Sequence, residues 1–529
     1  MKTKAVKSVS LAFAGFVLLA GCTKKFDEIN TNPASYSQSN FDPNYLLTTT
    51  QLTYTGSTDF SYETWRGNLI YASTFMQGLS TVVGYWAGDK YLLNEGYTSA
   101  YWQVAYPDQV KPVVDLIQFT KDKPQYKNLY QVSRLMKAMI MQRITDLYGD
   151  VPYAEAGLGY YKSTYFPKYD AQQAIYADLL KETEEATTAL DVAGDKPVGD
   201  VYYKGNIDQW KRFGYSLMLR IAMRLSKVDP ATAQTWAAKT VGKTFTGNAD
   251  NAFVRHDATG GRTTINRNSQ VLIGDGGQEH FYVKWSKTFI DFLKASNDPR
   301  SGKVAVTQLY TSANSKTQNA GFNAAPAAQK GMPNGKDLSG IAGRDISSDP
   351  SYTSFPDYSS PHPAMIKREG VTFVLTYAET ELLLADAAQR FSIGGAGAAV
   401  THYNNGVKAA MTYLSQYDAA LAITDAAADA WLTLNPYLPA TGLAAINNQY
   451  WVHTNTMLDF YESWSNWRRT GFPVLTPVVY PNNATNGTLP RRFPYPSFEA
   501  NSNPDNYNAA RAAVPGGDNL TGRVWWDKQ

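Results

Sequence analysis

The stretch QYKNLYQVSRLMKAMIMQRITDLY, residues 125–148, sets how the rest of the chain is read. Its apolar residues Leu129, Val132, Met136, Met139, Ile140, Ile144 and Leu147 recur every three or four positions. That spacing puts them on one face of an α-helix. Gly149 ends the helix and Pro152 follows, a C-terminal stop pattern. The same period continues downstream. Residues 170–191 read as an amphipathic helix with Asp170 as its N-cap. Asn206 caps the next helix, in which Phe213, Leu217, Ile221 and Leu225 make a four-residue stripe. Further helices are expected at about 371–391, 396–415 and 443–469. They come in pairs of roughly tetratricopeptide size, without a clean repeat of that motif. The fold class expected is therefore mainly α, with stacked helix pairs and little strand.

Between about 245 and 365 the helical period collapses into Gly, Ser, Asn, Asp and Pro, as in KGMPNGKDLSGIAGRDISSDPSYTSFPDYSSPHP. One helix near 286–296, capped by Ser286, interrupts it. Loops this long on a rigid scaffold concentrate function. A second irregular region runs from about 471 and closes on Trp525-Trp526, a pair expected to be docked. Residues 41–529 thus read as one domain, with a helical core at about 41–240 and 366–475 and an excursion at about 245–365.

The chain begins differently. Lys2, Lys4 and Lys7 precede an apolar run from Val9 to Ala20, a basic and then hydrophobic order that marks a secretion signal over residues 1–21. The run is shorter than the ~20 residues needed to span a bilayer. The ending Leu19-Ala20-Gly21-Cys22 resembles the lipobox of bacterial lipoproteins. In those proteins the cysteine is acylated, and cleavage precedes it. Cys22 is the single cysteine, so no internal disulfide or cysteine-built zinc site can form. The covalent lipid on Cys22 is the one attached group expected, and residues 22–40 read as a polar tether.

Loss of residues 1–21 would remove three lysines and leave 46 basic against 46 acidic residues. A formally neutral body argues against nucleic acid, which asks for a basic face. Catalytic signatures are sparse. The five histidines are scattered, and neither H-E-x-x-H nor G-x-S-x-G occurs. Gly242-Lys243-Thr244 lacks the glycine a phosphate loop needs, having Ala237 in its place. The 46 acids leave a glycosidase-type carboxylate pair open.

The aromatic content is the distinctive quantity, with 36 Tyr and 12 Trp. Trp102, Trp210, Trp464 and Trp467 lie in helical patterns and are expected in the core. Rings in irregular segments are the candidates for ligand contact: Tyr85 and Trp86 in VVGYWAGDK, Tyr282 and Trp285 before the Ser286 cap, and Tyr352, Phe355 and Tyr358. Flat rings suit the apolar C–H face of a sugar.

Several motifs, in order along the chain, resemble the SusD/RagB family of nutrient-binding outer-membrane lipoproteins, in its SusD-like branch. They are Asp146-Leu147-Tyr148-Gly149-Asp150-Val151-Pro152-Tyr153; Asp291-Phe292-Leu293 with Asn297-Asp298-Pro299-Arg300; and Tyr377-Ala378-Glu379 with Leu382-Leu383-Leu384-Ala385-Asp386-Ala387, where Asp386 stands for the usual Glu. Next come Trp464 with Trp467-Arg468-Arg469-Thr470-Gly471-Phe472-Pro473, then Pro490-Arg491-Arg492-Phe493-Pro494-Tyr495-Pro496, and last Trp525-Trp526-Asp527. These motifs read as architecture, with the arginines pairing to acids or helix carbonyls. The resemblance implies a non-enzymatic surface lipoprotein of the outer membrane. It would capture an oligosaccharide and pass it to a SusC-like TonB-dependent transporter. Oligopeptide capture, or a surface glycan-degrading enzyme, are the alternatives.

Overall fold

The computed structural model describes residues 41–57, 62–259 and 264–528, so Cys22 and the tether lie outside the described residues. Contacts separate Met1–Pro43 from Asn44–Gln529, and the helices and strands named below all belong to the second unit.

The principal helices are α1 (Asn44–Tyr54), α2 (Lys111–Thr120), α3 (Lys127–Tyr148), α4 (Gln172–Ala189), α5 (Ile207–Arg224), α6 (Pro230–Ala238), α7 (Lys287–Ala295), α8 (Tyr377–Phe391), α9 (Ala398–Thr412), α10 (Gly442–Met457) and α11 (Phe460–Thr470). From α1 to α6 each helix packs on the next. The stack then passes from α5 to α8 and on to α9 and α10, with α11 lying against α10 and α3. The strands are short: β1 (Leu79–Thr81), β2 (Val151–Pro152), β3 (Tyr169–Asp170), β4 (Ala252–Arg255), β5 (Val283–Trp285), β6 (Ala305–Val306), β7 (Ser360–Pro361) and β8 (Val371–Leu375). The molecule is mainly α, as its periodicity indicates.

α3 carries the decisive stretch. Leu129, Val132, Met136, Ile140, Ile144 and Leu147 are all fully buried. Gly149 stops the helix at φ +89°, a backbone conformation that side chains rarely adopt. Asn206 caps α5 as expected, its side chain accepting from the Gln209 N–H. Asp170 does not cap α4. It sits in β3, which pairs antiparallel with β2, and its carboxylate accepts from the N–H groups of Tyr153 and Ala154. The Gln172 N–H is bound instead by Asp150, at 2.8 Å.

Two expected helices are divided. Residues 371–375 form β8, and α8 begins only after Thr376, whose hydroxyl accepts from the Glu379 N–H. The span 443–469 is two helices, broken where Leu458 takes φ +61° and Asp459 caps α11.

Of the late-motif arginines, Arg468, Arg469 and Arg492 are buried, and half-buried Arg491 pairs with Asp527. Arg468 donates to the Asp146 and Arg491 carbonyls, Arg469 binds Asp386, and Arg492 bridges the Tyr148 carbonyl and Asp518. Asp146 also accepts from Trp526 Nε1 at 2.9 Å, which docks the C-terminus on α3, and faces Arg224 at 3.2 Å. Arg224 continues to Glu462 at 2.7 Å, and Arg220 to Glu379. The Tyr450 hydroxyl lies between the two glutamates, 2.9 Å from Glu379 and 2.8 Å from Glu462. Burial raises the Glu379 carboxyl above its usual range. Burial pushes Glu462 the same way, but the Arg224 and Arg220 guanidiniums outweigh it and hold Glu462 low.

The excursion leaves and rejoins the stack through a neck. There β4 pairs antiparallel with β8, Ala252 opposite Leu375 and Arg255 opposite Val371. Beyond the neck, β6 and β7 pair with each other. β5 pairs with β1 of the N-terminal region. The excursion also has its own apolar centre, in which Phe281, Val306, Leu309, Tyr310, Met332, Ile346, Phe355 and Tyr358 gather with Val82.

Candidate ligand face

The segment 79–90 brings the excursion to the helical stack. Gly88 lies so close to the wide helical turn Thr64–Ser73 that a Cβ there would stand 2.2 Å from the Ile70 carbonyl. Asp89, fully buried, accepts from Asn334 Nδ2 at 2.6 Å and from the Gly335 N–H at 2.9 Å. Lys90 is buried beside it and donates to the Thr81 carbonyl. Between these fixed points Gly84 and Tyr85 reach the surface.

Tyr85 is 40% exposed. Its ring meets Trp65 edge-on at 5.9 Å, and its hydroxyl donates to Glu279. Burial of the hydroxyl end, together with that carboxylate, drives the phenol pKa far up, so Tyr85 stays a neutral donor. Nearby, the Arg66 guanidinium lies 3.7 Å from the Tyr62 ring centre and 5.1 Å from that of Tyr97. Tyr62 donates to Gln103 at 2.9 Å.

The excursion supplies a second aromatic group. Phe355 meets Tyr282 at 4.9 Å, Phe281 at 5.6 Å and Tyr352 at 5.6 Å. Tyr358 donates to Asp349, and Lys330 lies 4.8 Å over its ring. Asp357 is held below the usual carboxylate range by the Thr353 hydroxyl first, and by Ser354 and Gln308. Asp349 is held low as well, by the Ser351 N–H and the Tyr358 hydroxyl against the effect of burial. Asp349 and Asp357 are therefore ionised.

The expected candidates divide. Val82, Glu279 and the packed rings of Tyr282 and Phe355 bring Tyr85, Tyr282, Tyr352, Phe355 and Tyr358 into one region drawn from three distant segments. Only Tyr85 is well exposed; Tyr282 and Tyr352 are half-buried, and Phe355 and Tyr358 belong to the excursion's own centre. Trp86 and Trp285 are corrected. Both are fully buried, Trp86 in the main core, Trp285 stacked 4.6 Å from Phe289 with its Nε1 bonded to the Val304 carbonyl. Neither offers a face to a ligand in this conformation. Trp102, Trp210, Trp464 and Trp467 are buried, as their helical spacing indicates.

Sequence reading missed Trp65, which lies in a helical pattern and gives no loop signal. It also missed a loop in which Tyr160, Tyr165 and Phe166 are 85%, 71% and 65% exposed. The density of aromatics in GLGYYKSTYFPKY was its available sign.

A helical stack that ejects one long, internally packed excursion and sets half-exposed rings at its root is a scaffold for presenting a binding surface. The chain belongs to the SusD-like family described as starch-binding and associating with the outer membrane, whose model matches residues 36–496. Among solved structures, a chitin-binding protein is 32% identical with a TM-score of 0.79, covering 92% of this chain and 100% of its own. The Bacteroidetes AC2a SusD-like protein is 25% identical, TM-score 0.78, with 92% and 100% coverage. A chitin-binding SusD homolog from Flavobacterium johnsoniae shares the fold at 21% identity and a TM-score of 0.72, with 92% and 98% covered. No curated protein matches the chain. Among the described residues, no helix is long and apolar enough to cross a membrane.

Proposed function

We propose that this protein is a nutrient-capture subunit without enzymatic activity. It binds oligosaccharides, of the chitin type in first place, and hands them to a SusC-like TonB-dependent transporter while anchored in the outer membrane through lipid on Cys22. The observation that carries the ligand reading is Tyr85: an exposed ring, met edge-on by Trp65 and fixed by Glu279. A pyranose stacks on such a ring with a gain on the order of 1.5–3 kcal/mol, and the ionised carboxylates of the excursion supply hydroxyl acceptors. The chitin preference is supported by the relative at 32% identity.

Calorimetric titration with chitooligosaccharides, maltooligosaccharides and mixed oligopeptides tests the ligand class. Chitooligosaccharide binding without turnover, weakened in Tyr85→Ala, is expected. Tight peptide binding would install the peptide alternative, and released sugar would make the protein an enzyme. A mild-detergent pull-down tests the partner and is expected to bring down a large barrel protein in near-equal amount. Recovery of the subunit alone would count against the transporter.

A further inference from the structure

The loop 159–168 reads GYYKSTYFPK: four aromatic rings, two lysines and no acid. Tyr160, Tyr165 and Phe166 stand mostly in solvent, Tyr161 less so, and Lys162 and Lys168 are exposed beside them. The rings cluster. Tyr160 meets Tyr161 at 5.2 Å, and a Cβ on Gly159 would stand 3.5 Å from the Tyr165 ring. A grouped set of exposed rings marks a contact surface, where a single one would not.

The loop is held in place by three other segments. The Lys168 N–H donates to Glu155 at 2.9 Å. The Asn503 and Asn506 side chains donate to the Pro167 and Phe166 carbonyls at 2.7 and 3.2 Å. The Tyr161 hydroxyl donates to Asp115 on α2 at 3.0 Å. The backbone is thus pinned while the rings of Tyr160, Tyr165 and Phe166 project. α2 packs in turn on α1, the first described helix after the tether.

The chemistry of the loop separates the occupants that exposed rings suit. A sugar asks for acceptors beside the ring. The loop's own charged groups are lysines, which only donate, and Glu155 and Asp115 already accept from the loop. Tyr160 and Tyr161 stand perpendicular, at 90°, and offer no common plane to a pyranose chain. The headgroup layer of a bilayer asks for this mixture. Amphipathic rings settle between water and acyl chains, and ammonium groups meet anionic phosphates. Residues 22–40, fully extended, reach about 60 Å, so a lipid on Cys22 leaves the body free to lay this loop on the membrane. We propose that loop 159–168 sets its rings into the headgroup layer of the membrane that holds the protein, and so rests the body on the bilayer in one orientation. This rests on the anchor reading above.

The test places the lipidated protein on vesicles of phosphatidylethanolamine and phosphatidylglycerol, with a nitroxide attached through Thr164→Cys. Cys22 is the single native cysteine, and its thiol is acylated in this form, so the label takes one position. Its accessibility to oxygen and to a water-soluble nickel chelate reports its depth. The label is expected at headgroup depth, and back in water when Tyr160→Ser, Tyr165→Ser and Phe166→Ser are combined. A second measurement removes the anchor. Partition of the Cys22→Ala chain onto the same vesicles is expected to fall about tenfold or more with the three serine substitutions. The melting temperature should not move, because the three rings are exposed. A label in water on protein that floats with the vesicles would overturn the membrane contact and leave the anchor standing. Protein that does not float would overturn the anchor and this inference with it. Unchanged partition of the triple variant with lost chitooligosaccharide binding would make the loop a sugar site instead. Unchanged partition with lost self-association would make it a contact between copies of this chain.

Discussion

Tyr85 and Trp86 are neighbours with opposite fates, which makes them a sharp pair for mutation. Trp86 is wholly within the core, so Trp86→Ala removes a large buried ring and is expected to cost about 3–5 kcal/mol, seen as a large fall in melting temperature. Tyr85→Ala should leave that temperature nearly unchanged and abolish most oligosaccharide affinity in calorimetry. Equal melting curves for the two variants would refute the placement. Lys284 offers a second residue-scale test. It is fully buried and donates to the Ser360 hydroxyl at 2.8 Å, and burial lowers its ammonium pKa to about 7. The unfolded chain holds that proton up to the ordinary lysine range, so between about pH 7 and 10 the unfolded state binds more protons and stability rises with pH. Below pH 7 the penalty is fully present. Lys284→Met is expected to stabilise the protein at neutral pH by a few kcal/mol, on the order set by linkage. It should also flatten the rise of melting temperature between about pH 7 and 10 in scanning calorimetry.

At the scale of elements, caps decide boundaries that periodicity leaves open. Asn206→Ala should cost about 1 kcal/mol in chemical denaturation, since it orphans the Gln209 N–H, while Asn206→Asp should be nearly neutral. Asp150→Ala should destabilise α4 in the same way, because Asp150 holds the Gln172 N–H. Asp170→Ala should act on the 153–154 turn instead, with faster amide exchange at Tyr153 and Ala154. The helices of the stack were legible because their buried faces repeat within one element, as Phe213, Leu217, Ile221 and Leu225 do. The errors have equally local causes. β8 is apolar and runs straight into the apolar start of α8, so strand and helix merge into one pattern with only Thr376 between them. Leu458 breaks 443–469 without glycine or proline, because tertiary packing holds a leucine in a conformation its sequence does not announce. Trp86 reads as a loop ring beside Gly84, yet it packs in the main core among residues from distant segments, which no local window contains.

For the whole molecule, the family and fold were legible because ordered motifs run from residue 146 to residue 527. The ligand face was legible only as a region. Tyr85, Tyr282 and Tyr352 come from segments far apart in the chain, and their exposure follows from how the excursion packs on itself. The histidines act at this scale too. Burial lowers His256 and His362 to about 4 and His453 to about 3. They stay neutral in the folded chain but take up protons when unfolded, so stability is expected to fall as pH drops from about 6.5 toward 4. A melting temperature constant across that window would refute this. The anchor is tested on the whole cell: Cys22→Ala should move the protein out of the outer-membrane fraction, and unchanged fractionation would disprove lipid attachment.

The neck of β4 and β8 carries a consequence for how such proteins diversify. Because the two ends of the excursion leave the stack side by side, the whole of residues 256–370 can be exchanged there without changing the distance the scaffold must bridge. The excursion is nevertheless stitched a second time, by β1 to β5 and by Asp89 to Asn334 and Gly335. A transplant of this surface onto another member's stack must therefore move residues 79–90 and 252–375 as one inheritable cassette. Grafting the long piece alone would leave the Asn334 amide and the Gly335 N–H without the Asp89 carboxylate that accepts from them.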